Sequence, residues 1–501
     1  IPADKRPRIM RSNIVCAEPM PGSAEMLKEF TATLHPPLLG QLVAKVFAQM
    51  QFAGEAGSLL KIEEDIAALV EEAKKLWSSP RKAEQTKFDL GMGEKPKQEE
   101  LTLDVSGISD ERFWETTEEG IYKALKDYAE QVESGGYQRR LFAEDAARGF
   151  AFIDLCRKRY DVVVMNPPFG DSPINVIQLL KDQYGVGRPD AYMCFMFRAS
   201  DLLEANGRCG CITSRTFQNL EFFEKLRRSL FTQEMPIIMM ADLSGGVLDG
   251  ATVETCASVF RGKKCSRDDN SEAIFFNVVE ANDRQLSLFE NIKKISSGHS
   301  NKGIYLREIS WFTKLPGAVI SYSLHPSAFH AFETFPPLNF KQAWPLEKPF
   351  NEIFSNVLQG LIPGDLFRFT RLIAESSANE LLVSNWIRLC RGGEYQRFWA
   401  DEVAVIKWKD SGKEIMQFAT DNYGTASRTI KNVEYFGKAG LSYPRISSVG
   451  LNMRIMPEGF AFSDAGLAII PENTKFIWNI LAFLNSRLAD YFASSLHPGR
   501  K

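Results

Sequence analysis

Asn166, Pro167, Pro168 and Phe169 stand in a row directly after the apolar run Val162–Met165. Proline cannot donate to a strand ladder, so the pair ends the strand. Each proline fixes its own φ and pushes the residue before it toward extended geometry. The result is a stiff loop that can hold an amide and a carbonyl in one orientation. An amino group conjugated to a ring, as in adenine, is a poor nucleophile because its lone pair is delocalised. Two acceptors aimed at its N–H groups stabilise the pyramidal nitrogen that develops as it attacks an electrophilic carbon. The Asn166 side-chain oxygen and the Pro167 carbonyl fit that role. No strong general base is needed, since the nitrogen sheds its proton after alkylation. Phe169 offers a flat face to a base swung out of its helix. The same four residues also read as a strand and a Pro-Pro turn with Phe169 packed in a core.

Such a loop needs a sheet behind it, and the flanking segments supply one. "LFAEDAARGFAFIDLCRKRY" reads as a helix feeding the strand "DVVVMN". Then follow the helix "DAYMCFMFRASDLLEANG", the strand "RCGCITS", the helix "EFFEKLRRSLF", the strand "PIIMMADL", and a hairpin-like pair, "TVETCASVF" and "EAIFFNVV". Strands alternating with helices predict an α/β domain with a mainly parallel sheet, and ligands bind such sheets at the carboxyl ends of their strands. Upstream, "PLLGQLVAKVFAQMQF" and "SLLKIEEDIAALVEEAKKLW" carry apolar residues at helical spacing, interrupted by the polar segment 78–100. Beyond about residue 330 aromatic residues, Gly and Arg interleave among short strands, as in "GDLFRFTR" and "RGGEYQRFWADEVAVIKW". That texture predicts a separate, mixed or mostly β domain, with a long final helix, "FIWNILAFLNSRLADYFASSL".

A chain of 501 residues suits two or three domains. No apolar run approaches the roughly 18 residues of a membrane span, and no membrane partner is expected. The start, "IPADKRPRIM", is basic, lacks an apolar core and opens without Met, as a piece of a longer protein would. The eight cysteines lack Cys-x-x-Cys spacing and the five histidines are dispersed, so no metal site is expected, and free thiols point to the cytoplasm. Net charge is −3, so any nucleic-acid contact depends on local basic clusters.

Asn166–Phe169 resembles motif IV of the amino-methyltransferases, above all the N6-adenine DNA methyltransferases. Further stretches resemble the large methylases of type IIG restriction–modification enzymes and of BREX-type (PglX-like) phage defence. "NIVCAEP" is similar to motif III, "GRPDAYMCFMFRASDLL" to motif V, "GRCGCITSRTF" to motif VI and "ADLSGGVLDGATVETCASVF" to motif VIII. The resemblance implies a Rossmann-like sheet that binds S-adenosyl-L-methionine. It makes Asn166, Pro167, Pro168 and Phe169 the catalytic set, and Glu18, Asp190 and Tyr192 cofactor contacts, with Phe195 and Phe217 near the pockets. Asp190 equally reads as a helix cap, Glu18 as a solvated strand end, and Tyr192, Phe195 and Phe217 as core. The family places a Phe-x-Gly-x-Gly loop upstream of motif III, where about a dozen residues remain here. "FDLGMGE" at 88–94 follows no strand and runs into "EKPKQEE", so it is rejected as that loop.

The resulting expectation is a methyltransferase domain over 1–270, with a helical insertion at about 20–150 and its first cofactor-binding strand and loop missing. A connector over 271–340 and a target-recognition domain over 341–501 follow. In that last domain Arg368, Arg371, Arg391, Arg397, Arg428, Lys431, Lys438, Arg445 and Arg454 alternate with planar residues suited to double-stranded DNA. Defence-system protein subunits are further expected partners. Two other readings stay open: a non-catalytic DNA-recognition subunit that keeps the fold as scaffold, and a methyltransferase of RNA or protein amino groups.

Overall fold

The computed structural model describes residues 15, 24–34, 37–69, 136–186, 190–232, 234–248, 253–262, 272–296, 303–335, 338, 355–379, 385–447 and 449–496. The chain is mixed α/β with several sheets and divides into two units. The first comprises Ile1–Arg215, Thr232–Asp268 and Asn277–Leu288, and the second Thr216–Phe231, Asp269–Phe276 and Phe289–Lys501.

In the first unit, β1 (Tyr160–Met165) runs parallel to β2 (Leu203–Ser214), with Val162 opposite Arg208 and Met165 opposite Cys211. β3 (Ile237–Ser244) does not pair with β2. β4 (Thr255–Arg261) lies between them, antiparallel to both. Strands β1, β2 and β3 therefore share a direction, as expected, yet β1–β2 is the one parallel ladder in this set. The expected hairpin of "TVETCASVF" with "EAIFFNVV" does not form. The first segment is β4, whose two edges are already taken by β2 and β3. The second, β5 (Glu272–Asn277), pairs instead with β6 (Ile304–Glu308) in the second unit.

The start of β2 is tightly built. A Cβ on Gly207 would sit 2.8 Å from the Tyr160 carbonyl oxygen, and one on Gly262 would sit 2.4 Å from that of Glu204. Only glycine permits this approach, and it lets the Gly262 N–H donate to the Gly207 carbonyl at 2.8 Å. "LEANG", expected as the end of a helix, thus opens the strand, with Asn206 at φ 75° and a register shift between Tyr160 and Val162.

Helices α1 (Ala24–Thr33), α2 (Pro37–Met50) and α3 (Gly136–Arg157) meet around Phe142, whose ring lies 5.8 Å from Phe30 and 6.1 Å from Phe47. α4 (Ile177–Tyr184) and α5 (Ala191–Leu202) follow β1. The segment 57–69 is fastened to α5 by Arg198, which is 1% exposed. Its guanidinium donates to the Glu63 carboxylate at 2.5 Å and to the Ser58 carbonyl at 2.8 Å. Tyr184 adds a bond to the Leu59 carbonyl at 2.8 Å, and Lys61 an ion pair to Asp201 at 2.7 Å.

The second unit sets the Phe275 ring 5.4 Å from that of Phe312 and 5.4 Å from that of Tyr322, then builds two four-stranded sheets. The strands are β7 (Ser355–Leu358), β8 (Thr370–Leu372), β9 (Trp386–Cys390), β10 (Ala404–Lys407), β11 (Gly440–Pro444), β12 (Arg454–Met456), β13 (Phe460–Phe462) and β14 (Gly466–Pro471). One sheet has the order β13-β9-β10-β8, the other β12-β11-β14-β7. Ala404, Ile406, Leu389 and Ala461 of the first sheet pack on Ile415 and Ala419 of helix α6 (Lys409–Tyr423). The final helix is two, α7 (Ile477–Leu484) and α8 (Arg487–Leu496). Asn485 breaks it because its buried amide is used elsewhere. The Asn485 side chain accepts from the Met453 N–H at 3.0 Å and donates to the Met453 carbonyl at 2.8 Å.

Candidate active site

The Asn-Pro-Pro-Phe loop leaves the carboxyl end of β1. Asn166 and Pro168 are exposed, Pro167 is buried and Phe169 is half-buried. Gly170, at φ 106°, lets the chain turn back, and its carbonyl accepts from the Ala191 N–H at 3.0 Å. Asp171 forms an antiparallel bridge with Asp190. The loop is therefore tied at its far end to the start of α5, a second restraint beyond the prolines.

Asp190 is the N-cap of α5, and its carboxylate accepts from the Tyr192 N–H at 3.2 Å. It is 7% exposed. The cap reading thus has a hydrogen bond behind it. Tyr192 is 1% exposed, and its ring stands edge to face with Phe169 at 6.2 Å and 88°. Tyr192 thus buttresses the aromatic wall of the loop. Phe195 is half-buried on the same helix, and Phe217 is fully buried in the second unit. Glu18, the third cofactor candidate, lies outside the described residues, as does 88–94. Of the two described cofactor candidates, Asp190 caps α5 and Tyr192 packs edge to face against Phe169.

Sequence reasoning missed a second feature at this edge of the sheet. Arg215 follows β2 and Asp242 lies near the end of β3, and both are buried. Their ion pair closes at 3.0 Å, with Glu254 at 3.4 Å from the same guanidinium. It links the carboxyl ends of two strands across β4. Its signal was the pair "TSRTF" and "MMADLS", a cation and an acid just at the ends of apolar strands.

Of the basic residues in the second unit, several have structural partners. Arg368 pairs with Glu414 at 3.0 Å, Arg397 with Asp490 at 2.6 Å and Arg445 with Asp464 at 3.7 Å. Arg454 is 2% exposed and donates to the Gly392 carbonyl. Lys438 sits over Tyr435 and Arg371 over Trp386. Arg391, Arg428 and Lys431 are exposed. Among the described residues no cluster of His, Cys, Asp and Glu could hold a metal, and no helix is long and apolar enough to cross a membrane.

Residues 63–246 match the Eco57I restriction-modification methylase family. That span contains the whole of the loop, its anchor on α5 and the Arg215–Asp242 pair. Over 398 residues the chain is 26% identical to the adenine-specific methyltransferase BrxX of Escherichia coli O9:H4 (strain HS), covering 75% of this chain and 30% of that protein. Over 356 residues it is 23% identical to the adenine-specific methyltransferase PglX of Lacticaseibacillus casei (strain Zhang), covering 68% and 28%. The chain is thus similar, over most of its length, to adenine-specific methyltransferases. It spans under a third of the length of these two relatives. Among solved structures, the Type IIL restriction-modification enzyme MmeI, in complex with DNA, aligns over 92% of this chain and 63% of its own, at 13% identity and a TM-score of 0.41.

Proposed function

We propose that this chain carries the catalytic loop and the target-recognition part of a DNA adenine-N6 methyltransferase, acting in restriction–modification or BREX-like defence. One observation carries the reading: an exposed Asn166 amide at a strand's carboxyl end, on a loop stiffened by Pro167 and Pro168 and pinned to α5. An exposed amide on a rigid loop is free to accept from an incoming amino group. The half-buried Phe169, braced by Tyr192, leaves part of its ring for a base to stack on. Asn166 and the Pro167 carbonyl would take the two N–H groups of the target adenine as its nitrogen becomes tetrahedral.

The sheet supports a Rossmann-like domain: three strands in one direction, with the site at their carboxyl ends. Among the described strands β1 is outermost, and Val162 and Val164, on one face of it, are 63% and 80% exposed. A face so apolar is suited to be covered by further protein. The methyl donor in such chemistry is S-adenosyl-L-methionine. Glu18, Asp190 and Tyr192 are the residues proposed to hold it, and the roles argued here are those of the loop toward the acceptor. The domain limits proposed are a methyltransferase domain to about residue 270 and target recognition from about 341.

The test is transfer of a tritiated methyl group from S-adenosyl-L-methionine to duplex DNA, RNA and protein acceptors by this chain. Label in duplex DNA at adenine N6, lost in Asn166→Ala, is the expected result. Label in RNA or protein alone would overturn the substrate assignment. Sequence-selective DNA binding with no transfer to any acceptor would make the fold a scaffold for recognition.

A further inference from the structure

On the sheet β13-β9-β10-β8, Phe460, Arg388, Val405 and Arg371 are successive cross-strand partners, so their side chains leave the same face. The other face is the apolar one that packs on α6. Val405 is fully buried between two exposed arginines, whose aliphatic stems flank it. Each guanidinium is held over an aromatic ring: Arg371 lies 4.7 Å from the Trp386 centroid and Arg388 5.6 Å from that of Phe460. Neither makes an ion pair among the described residues, unlike Arg368, Arg397 and Arg445. The two are separated by two strand spacings, roughly 10 Å. Among the described residues they are cations held in place by rings rather than by carboxylates.

Beside Arg388 opens a cavity of about 550 Å³, lined by Trp399, Asp401, Glu402, Ile455 and Phe460 among others. That volume falls in the range of small-molecule sites. Trp399 is 57% exposed, and its indole N–H donates to the Asp401 carboxylate at 3.0 Å, which fixes the ring. The two carboxylates make the interior unfavourable for a phosphate. They suit a group that donates, such as the exocyclic amine of a base.

The geometry points to a nucleic-acid contact site on this face, with Arg371 and Arg388 holding backbone phosphates and the cavity beneath Trp399 taking an unstacked, amino-bearing base. This rests on the reading of the chain as DNA-directed and adds where the polymer is gripped.

The experiment measures binding of the 501-residue chain to a fluorescent duplex by anisotropy at several salt concentrations. It compares the unmodified chain with Arg371→Gln, Arg388→Gln and Trp399→Ala. Glutamine keeps a stem over Val405, and thermal melts confirm that each variant folds. Each arginine variant is expected to weaken binding on every sequence and to lower the slope of log affinity against log salt by about 1. Trp399→Ala should weaken binding about tenfold with the slope unchanged, as loss of one stacked base does. Folded variants that bind with unaltered affinity and slope would overturn the site and leave the DNA reading standing. Failure of the unmodified chain to bind any duplex would overturn both.

Discussion

Asn166 combines exposure with a fixed backbone, which a functional amide needs and a structural one does not. Asn166→Ala should therefore cut methyl transfer by on the order of 10²–10³ while moving stability by no more than about 0.5 kcal/mol. Parallel transfer assays and urea melts check both halves, and a large loss of stability would make the residue structural. Glu402 presents the opposite case. Burial raises its carboxyl above the ordinary range, and the Arg454 and Arg391 charges oppose this only in part. Its Oε1 has no hydrogen-bond partner among the described residues. A carboxyl whose folded value is raised favours the folded state at low pH, and that benefit is lost as pH rises through the folded value. Glu402→Gln, which is neutral at every pH, should thus raise the melting temperature at pH 7.5 and lose its advantage near pH 4. Melts across that range decide it.

At the scale of elements, polar side chains stitch segments that hydrophobic contact alone would leave loose. Arg198 binds 57–69 to α5 through Glu63. Burial lowers its proton affinity, yet the bond to Glu63 outweighs that and the guanidinium stays firmly charged. Removing the acid strands a buried cation, so Glu63→Ala should cost about 3–5 kcal/mol. Asn485 bonds both backbone groups of Met453. Asn485→Ala should cost about 1–3 kcal/mol by leaving them unpaired. Denaturant titrations of both variants test these values. The helix break at Asn485 was not legible in "NILAFLNSRLADYF", where the apolar period runs on unbroken. Its cause is a partner over 30 residues away in the chain. The loop at Asn166–Phe169 was legible, since its stiffness is written in two adjacent prolines. Its anchor on α5 was half legible: Asp190 read as a cap, but the Gly170–Ala191 bond did not show.

For the molecule as a whole, the described cysteines are Cys156, Cys194, Cys209, Cys211, Cys256 and Cys390, all buried. Burial pushes the Cys156 thiol up to about 11 and that of Cys194 to about 12. Iodoacetamide at pH 8 should leave both unmodified in the native protein and alkylate both in urea, as peptide mass mapping would report. Residue chemistry, strand and helix segments and the place where aromatic and basic residues begin to interleave all follow from the sequence by itself, because they depend on neighbours within a few positions. Strand order does not. β4 lies between β2 and β3 through ladders to residues far away in the chain, which no local pattern records. The same holds for the arginines of the second unit. Composition makes them alike, but only packing decided that Arg397 and Arg454 bond to groups within the chain while Arg371 and Arg388 lie over rings and make no ion pair among the described residues.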